Sequence, residues 1–364
     1  MHNEPILSPL LRFSSALATE DQEKLRDNLS AIVLDGNHLW LGGDEGTAIH
    51  RMTRGASGDF AEHTSFELKE ILGLPGSADD EIDIEGLDVD GGFLWLVGSH
   101  SAKRKKAEAG ESLVKNLKQL RNIEVEGNRL TLARVPLNVA ATPVAEHGEL
   151  TAARLRGGTN ANLLTDALKS DPHLGRFIPH VSSDFVEGIP SKDNGFDVEG
   201  LAVRGNRVFL GLRGPVLRGW ATILELKVKE KAEGELTLET FASSGKPYVK
   251  HLLQLGGLGV RELAIHGDDL LVLCGPSMDL DGPVFIYRWR NALKLQADSM
   301  TWQQELTKAV TVPFGLGNDH AEGLSIASPD PLSVMVCYDS PAKTRISDDG
   351  DGVRADVFAV SYKP

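Results

Sequence analysis

The amino-acid sequence predicts an all-β protein with the architecture of a β-propeller, in which four-stranded sheets stack radially around a channel. Three observations support this prediction. One hairpin pattern recurs along the chain, the second strand of each hairpin is apolar almost throughout, and 38 glycines and 17 prolines supply many turns. We find no boundary that would divide the sequence, so residues 1–364 are expected to form a single propeller domain.

The repeat that predicts the propeller has five copies. Each has an acidic or polar residue, a small residue, an alternating apolar run, a tight turn, and four or five apolar residues. The copies are "NLSAIVLDGNHLWLGG" from Asn28, "DIEGLDVDGGFLWLVGS" from Asp83, "DVEGLAVRGNRVFLGLR" from Asp197, "GVRELAIHGDDLLVLCG" from Gly259 and "HAEGLSIASPDPLSVMVCYD" from His320. Aligned on Ser30, Glu85, Glu199, Glu262 and Glu322, they lie 55, 114, 63 and 60 residues apart.

The turns and the second strands explain why each copy forms a buried hairpin. Turns such as "DGN", "RGN" and "HGD" supply the positive φ angles that tight hairpins need. A second strand such as "FLWLV" is apolar on both faces, so it must be covered on both sides, as happens when sheets stack face to face.

Outer strands follow most of the hairpins. The third copy is followed by "GWATILELKV" and "ELTLETFA", and the fourth by "PVFIYRW" and "SMTWQQEL". The last copy has one further strand, "DVFAVSY", so we expect the amino-terminal "ILSPLLRF" to supply its missing partner and close the ring.

The double interval between the second and third copies contains two predicted helical insertions. They cover about residues 101–122, where Leu113, Leu117 and Leu120 have helical spacing, and about residues 159–172, which end near a proline. Two strands, "RLTLARVPL" and "ELTAARL", lie between them and would complete the second blade. Direct counting therefore gives five blades, with six as the alternative if this interval holds an eroded repeat.

The charge of the chain favours some classes of partner and disfavours others. Lys and Arg number 38 against 52 for Asp and Glu, which gives a formal net charge of −14. This balance argues against nucleic acid or an anionic membrane as the default partner and favours bound cations. The sequence has no apolar run long enough to span a membrane, and the amino terminus does not resemble a secretion signal, so we expect a cytoplasmic protein.

The repeated acids are expected to converge at one end of the channel. In a propeller the first strand of each blade lines the channel, so the start of that strand and the end of the second strand share one mouth. Clustered carboxylates must be protonated, paired with basic side chains, or bound to a metal. The predicted ligands of a Ca²⁺ or Mg²⁺ ion are Glu85, Glu199, Glu262, Glu322, Asp197 and Asp319. The entry loop "SADDEIDIEG" adds Asp79, Asp80 and Asp83.

Other interpretations of these residues remain open. A glutamate before a strand can instead accept backbone N–H bonds from the neighbouring blade, or act as an acid or base. Arg213 can bind an anion or form an ion pair between blades. His100 and Lys343 lie in loops expected at the same mouth, and with Glu199 and Arg213 they form the predicted catalytic set.

The block "PSKDNGFDVEGLAVRGNRVFLGLRGPVLRGWATILEL", with "DIEGLDV", "GSHS" and "HAEGL", closely resembles a bacterial family known as domain of unknown function 3616. That family is distantly similar to phytase-like and SdiA-regulated proteins. The resemblance implies a propeller, with six blades in the phytase-like relatives, and acidic metal ligands with basic anion-binding residues at the channel mouth.

Two functions are consistent with these predictions. The first is a divalent-cation-dependent hydrolase of a small anionic ester, such as a phosphoester or a lactone. The second is a non-catalytic propeller platform that binds a peptide or a small ligand and uses its glutamates for structure.

Overall fold

The computed structural model describes residues 2–77, 80–181, 186–232 and 234–360. The α-helices are short: α1 (Thr19–Asp27), α2 (Leu113–Arg121) and α3 (Leu163–Leu168). In chain order, the β-strands begin with β1 (Leu10–Arg12), β2 (Leu29–Asp35), β3 (His38–Gly43), β4 (Ala48–Arg54), β5 (Phe60–Glu67), β6 (Ile84–Asp90), β7 (Phe93–Gly98), β8 (Lys103–Arg104), β9 (Ile123–Glu124) and β10 (Leu132–Pro136). They are followed by β11 (Glu146–His147), β12 (Leu150–Thr151), β13 (Ala153–Leu155), β14 (His180–Val181), β15 (Val186–Glu187), β16 (Asp197–Arg204), β17 (Arg207–Gly214), β18 (Trp220–Ala232), β19 (Glu235–Leu238) and β20 (Tyr248–Gln254). The last are β21 (Gly259–His266), β22 (Asp269–Gly275), β23 (Val284–Trp289), β24 (Ser299–Thr301), β25 (Thr307–Val312), β26 (His320–Pro329), β27 (Leu332–Asp339), β28 (Gly352–Arg354) and β29 (Asp356–Ala359). Single 3₁₀ turns lie at Leu68–Glu70, Gly127–Leu130, Gly175–Phe177, Ser191–Asp193, Ala292–Lys294, Gln303–Glu305 and Lys343–Arg345.

The predicted all-β propeller is confirmed. Each sequence repeat forms an antiparallel inner hairpin: β2–β3, β6–β7, β16–β17, β21–β22 and β26–β27. The first strands of these hairpins contact one another in the cyclic order β2, β6, β16, β21, β26 and back to β2. They therefore surround a common axis, as the inner strands of stacked blades do.

The apolar cores lie between neighbouring sheets. One cluster joins the first and second sheets through residues such as Trp40 and Leu96, and another joins the last and first sheets through Met335 and Leu41. Three further clusters fill the remaining inter-sheet spaces. Because each second strand contributes to the core on both of its sides, the near-continuous apolar sequence of these strands is explained.

The outer strands differ in part from the sequence prediction. In the third sheet β20, and not β19, pairs beside β18 as the fourth strand, while β19 links β18 to β13 of the second sheet. In the fourth sheet β25 takes the outer position. The predicted strand "SMTWQQEL" contributes β24, which pairs with β20 of the preceding sheet.

The insertions and the amino-terminal segment lie where the sequence indicated. The stretch between β7 and β16 supplies β10 and β13 to the second sheet, and its helices α2 and α3 fall within the predicted insertions. Leu7 pairs with Val357 of the last sheet, and β1 pairs with both β28 and β5 of the first sheet. No helix within the described ranges has the length and apolar character needed to cross a bilayer.

Candidate functional site

A cavity of about 730 Å³ opens at the end of the channel where the first strand of each inner hairpin begins and the second strand ends. Residues near the strand ends that line it are Asn28, Asp44, Asp83, Glu85, Asp197, Glu199, Arg213, Glu322 and Asp339. Loop residues complete its wall, among them Glu81, Lys103, Arg104, Lys105, Lys106, Arg129, Ser191, Lys192, Asp193 and Asp279. Most of the lining residues are therefore charged or polar, with acids and bases from distant parts of the chain.

A register shift occurs at the same point of the first strand of every inner hairpin. The residue left out of the pairing is Ser30 in β2, Glu85 in β6 and Arg261 in β21. In β16 and β26 the irregularity is wider and includes Glu199 and Glu322. An irregularity of this kind takes a residue out of the ladder and redirects its side chain. This local feature brings Glu85, Glu199 and Glu322 into the cavity wall.

The alignment of the fourth repeat on Glu262 is wrong by one residue. The register places Arg261 at the position of the other glutamates, and Glu262 at the position of Gly86 and Gly200. A shift of one residue turns a strand side chain to the opposite face, so Glu262 does not line the cavity. Instead its Oε1 accepts the N–H groups of Leu201 and Leu263, each at 2.8 Å. Glu262 thus makes the backbone contact that sequence reasoning had weighed as the alternative to a metal ligand.

The carboxylates that line the cavity near the strand ends are called the carboxylate ring below. Two arginines neutralise part of this ring. Arg213 contacts Asp197 at 2.5 Å and Glu199 at 2.7 Å. Arg261 contacts Glu199 at 3.1 Å and Glu322 at 2.5 Å. Arg213 shares a hairpin with both of its acids, so its ion pairs lie within one sheet, whereas those of Arg261 join three neighbouring sheets.

Asp44, Glu85 and Glu322 form a second carboxylate cluster on the other side of this network. One oxygen from each lies within 4.8 Å of the others. Glu85 is only 8% exposed, and its carboxylate has no hydrogen bond or ion pair within the described part of the chain. The Oδ1 atom of Asp44 is likewise buried and without a hydrogen-bond partner there.

Burial and neighbouring acids raise the pKa values of this cluster. Burial is the main cause of the raised pKa of Glu85, and Asp83, Glu199, Asp44 and Glu322 raise it further. The pKa of Asp44 is raised well above its ordinary value by burial first and then by the charge of Asp83. Burial also raises the pKa of Glu322, although Arg261 opposes this change. A bound proton or a bound cation would therefore stabilise this cluster.

Sequence reasoning missed Asp44 and much of the basic wall. Asp44 directly follows β3, at the same end of the channel as Glu85, and the pattern "WLGGD" was the available signal. Arg129 pairs with Asp83 and, at 2.8 Å, with Glu126. It comes from the double interval that follows the second repeat, where repeat alignment gives no position.

Several predicted residues lie outside the cavity wall. His100 is fully buried: its Nδ1 contacts the carbonyl of Gly98 at 2.7 Å and its Nε2 contacts Asn162 at 2.8 Å. Burial lowers the pKa of His100 to about 4, so it is neutral and both its nitrogens are engaged. Its backbone has a φ of 54°, a left-handed conformation that fixes this turn.

Two of the three predicted residues of the last repeat, Asp319 and Lys343, are also outside the wall, whereas Glu322 lines it. Asp319 accepts the N–H of Ala342 at 2.7 Å and pairs with Arg345 at 2.8 Å, and Lys343 is exposed in the following 3₁₀ turn. In the entry loop before β6, Asp79 lies outside the described residues, while Asp80 accepts the hydroxyl of Ser77 at 2.7 Å.

Comparison with solved structures gives weak overall similarity to several proteins. Glutaminyl cyclase from Myxococcus xanthus is 8% identical, with a TM-score of 0.39 and coverage of 98% of this chain and 100% of that chain. A calcium-binding protein, regucalcin, from Agrobacterium tumefaciens strain C58 is 11% identical, with a TM-score of 0.37 and 94% coverage of each chain. A streptogramin B lyase is 9% identical, with a TM-score of 0.35 and coverage of 98% and 88%. At these scores the similarities do not bear on the chemistry of the cavity.

Comparison at the level of sequence identifies the family. No curated protein matches the chain. The distant similarity to phytase-like and SdiA-regulated proteins stays a prediction. Residues 28–356, from the start of the first repeat to the last sheet, match the family described as "Protein of unknown function (DUF3616)". The chain therefore belongs to this family, as its central block and its repeated acidic motifs indicated.

Proposed function

We propose that the cavity binds one divalent cation between Asp44, Glu85 and Glu322 and uses it to hydrolyse a small anionic ester. The observation that carries this proposal is the state of Glu85, a buried carboxylate that has no partner among the described residues and lies beside two other carboxylates. A buried charge of this kind is costly unless a proton or a cation compensates it.

The chemistry of the three ligands selects the class of cation. All three supply carboxylate oxygens and none supplies nitrogen or sulfur, a donor set that suits Ca²⁺ or Mg²⁺ better than zinc or copper. Because these ions take six or more ligands, three protein carboxylates leave positions for water and for substrate. Such a cation polarises an ester oxygen and makes its bound water more acidic.

The basic side chains of the cavity would hold the negative charge of the substrate. Lys106 and Lys192 line both the main cavity and an adjoining pocket of about 200 Å³, and neither has a salt bridge within the described ranges. Arg213 lines the same two spaces, with its orientation fixed by Asp197 and Glu199. We therefore assign Arg213 to charge stabilisation and Glu199 to positioning it, and we leave His100 and Lys343 out of the mechanism.

A non-catalytic platform is the second candidate, and one observation favours it. Glu199 lines the cavity and is held by two arginines, an arrangement that suits a rigid scaffold better than proton transfer. In this case the cation would organise the mouth for a peptide or small anionic ligand without turnover.

The decisive experiment compares two buried glutamates. Calorimetric titration and thermal unfolding with Ca²⁺ or Mg²⁺ are performed on the wild type, on Glu85→Gln, and on Glu262→Gln as the matched control outside the cavity. At a free cation concentration of about 100 times the Kd, binding should stabilise the wild type and the control by about 2.7 kcal/mol and leave Glu85→Gln unchanged.

Turnover separates the two candidate functions. Hydrolysis of a panel of phosphoesters and lactones is measured with each cation and with excess chelator. Activity that requires both the cation and Glu85 supports the hydrolase, and cation binding without turnover supports the platform. Equal cation binding by the wild type and Glu85→Gln would refute both.

A further inference from the structure

A helical arm stands at the rim of the cavity. We use "the arm" for residues 103–124, which run from β8 through α2 to β9. The strands β8 and β9 pair antiparallel and form its stem. Lys103 fixes this stem to Glu126 at 2.7 Å, and Arg104 fixes it to Asp193 at 2.8 Å. The arm is therefore firmly attached at its base and projects from the body of the propeller.

Within the described ranges, the apolar face of the arm's helix is left largely uncovered. The exposed fractions are 73% for Leu113, 78% for Val114, 58% for Leu117 and 43% for Leu120. At 3.6 residues per turn these four side chains share one face of α2.

The opposite face of the helix is already occupied by the loop that precedes it. Asn116 exchanges two hydrogen bonds with the backbone of Glu108, and Gln119 donates to the side chain of Glu108 at 3.0 Å. The orientation of α2 is thus set by its polar side, and the apolar side is what it presents outward.

The arm is basic, although the whole chain is acidic. Its basic residues are Lys103, Arg104, Lys105, Lys106, Lys115, Lys118 and Arg121, and its acidic residues are Glu108, Glu111 and Glu124. These seven positive and three negative groups give the arm a formal charge of +4, within a chain of −14. Lys103 and Arg104 pair with acids outside the arm, so the remaining five basic and three acidic groups leave an excess of +2. Lys118 and Arg121 lie along one edge of the apolar face, since they follow Val114 and Leu117 by one turn of the helix.

We propose that the arm docks onto a membrane surface of anionic phospholipid, with the apolar face of α2 between the headgroups. A surface that satisfies this helix must be both apolar and negatively charged, and an anionic bilayer has these two properties together. The total charge of the chain led us to expect no membrane partner. However, electrostatic forces fade beyond about 8 Å at physiological salt, so the local charge of a projecting arm governs its contacts.

Docking would place the cavity at the membrane. Leu120, at the end of the apolar face, lines the cavity together with Lys105 and Lys106 of the same arm. The cavity entrance would therefore open toward the lipid headgroups. This inference does not require the proposed cation, because none of Asp44, Glu85 and Glu322 belongs to the arm.

The test is co-sedimentation of the full chain with vesicles of phosphatidylcholine alone or mixed with phosphatidylserine, in excess chelator. Two arm variants are compared with the wild type: Leu113→Gln with Leu117→Gln, and Lys118→Glu with Arg121→Glu. All four positions are exposed, so the fold should be retained. The matched controls, Val139→Gln and Lys229→Glu, change exposed residues of the same types elsewhere.

The wild type and both controls should bind the anionic vesicles, with binding that weakens as salt is added. The affinity of each arm variant for these vesicles should be lower by a factor of roughly ten or more. The proposal is overturned if the wild type does not bind anionic vesicles, or if the arm variants bind as well as the controls. It is also overturned if the Leu113 and Leu117 changes alter only self-association in gel filtration, because the apolar face would then serve a second copy of the chain.

Discussion

Arg261 is the residue that makes the carboxylate ring asymmetric. Where the other repeats have Ser30, Glu85, Glu199 or Glu322, the fourth repeat has a guanidinium that contacts Glu199 and Glu322. The acids on its side are neutralised, and those on the far side are not. Under the proposed function, the choice of this one residue in one repeat decides where a cation would bind.

Replacing Arg261 tests this role. Arg261→Gln leaves Glu322 buried without its ion pair, so the free energy of unfolding should fall by about 3 kcal/mol without added cation. Ca²⁺ should restore more stability to this variant than to the wild type, because Glu322 is then held only by the cation. Urea unfolding with and without Ca²⁺ measures both effects.

The exposed pair of Arg12 supplies the control, since Arg12→Gln should cost less than about 1 kcal/mol. A loss for Arg261→Gln as small as that of the control would contradict the central role of Arg261.

Protons and the cation should compete for Asp44 and Glu85. The ordinary pKa values of these groups are 3.8 and 4.5, and burial raises both in the folded protein. The folded state therefore holds protons that the unfolded chain has released. Without a cation, stability should decline as the pH rises from these ordinary values through the raised ones. With Ca²⁺ the change is opposite, because the cation replaces those protons and its stabilisation grows with pH.

Chemical unfolding across this pH range, with Ca²⁺ or with chelator, gives the two curves. Glu85→Gln should flatten both of them. Parallel curves with and without Ca²⁺ in the wild type would show that no cation replaces the protons.

At the scale of the element, the glycine after each glutamate sets how closely the inner strands approach. A Cβ atom added to Gly86 of β6 would lie 2.6 Å from the Cβ of Leu201 and 2.9 Å from its backbone nitrogen in β16. In the motif "EG", the glutamate side chain therefore faces the channel, and the backbone of the glycine packs against the next blade.

Gly86→Ala should lower the free energy of unfolding by about 2 kcal/mol, since the backbone of β16 must move to admit the methyl group. Urea unfolding measures the loss. The control is Gly158→Ala, where an added Cβ meets nothing within 4 Å. Equal stability of the two variants would show that the strands have room to separate.

The sequence predicted the hairpins well because tight turns and apolar strands are local signals. It placed Glu85, Glu199 and Glu322 correctly at one mouth of the channel. It failed at Glu262 because the fourth repeat was aligned on its glutamate, whereas the turn glycines Gly205 and Gly267 lie 62 residues apart and so equate Glu199 with Arg261. It missed Asp44 and Arg129 because a cavity wall is assembled from strand ends and loops that only the folded structure brings together.

At the scale of the whole molecule, the amino-terminal segment joins the last sheet to the first. Leu11 of β1 is fully buried and pairs with Val353 of β28 and with Phe60 of β5. Its side chain packs in the core between these two sheets, together with Met335 and Leu41. The stability of the complete ring should therefore depend on this one strand.

Leu11→Ala should lower the free energy of unfolding by about 3 kcal/mol, as expected for a leucine removed from a closed core. Leu7→Ala is the control, because the Leu7 side chain is 65% exposed and only its backbone pairs with Val357. Urea unfolding followed by tryptophan fluorescence measures both. If Leu11→Ala costs no more than the control, the segment is not part of the cooperative unit.

The amino-terminal segment pairs with both the last sheet and the first, and this has a topological consequence. Two stretches of chain cross the junction: Leu7 pairs with Val357 in the last sheet while β1 lies in the first, and β28 lies in the first sheet while β29 lies in the last. The circle therefore cannot part at this junction unless pairing is lost near both ends of the polypeptide. Amide hydrogens of Ala355 and Val357, which donate to Pro9 and Leu7, should exchange slowly with solvent, whatever occupies the channel.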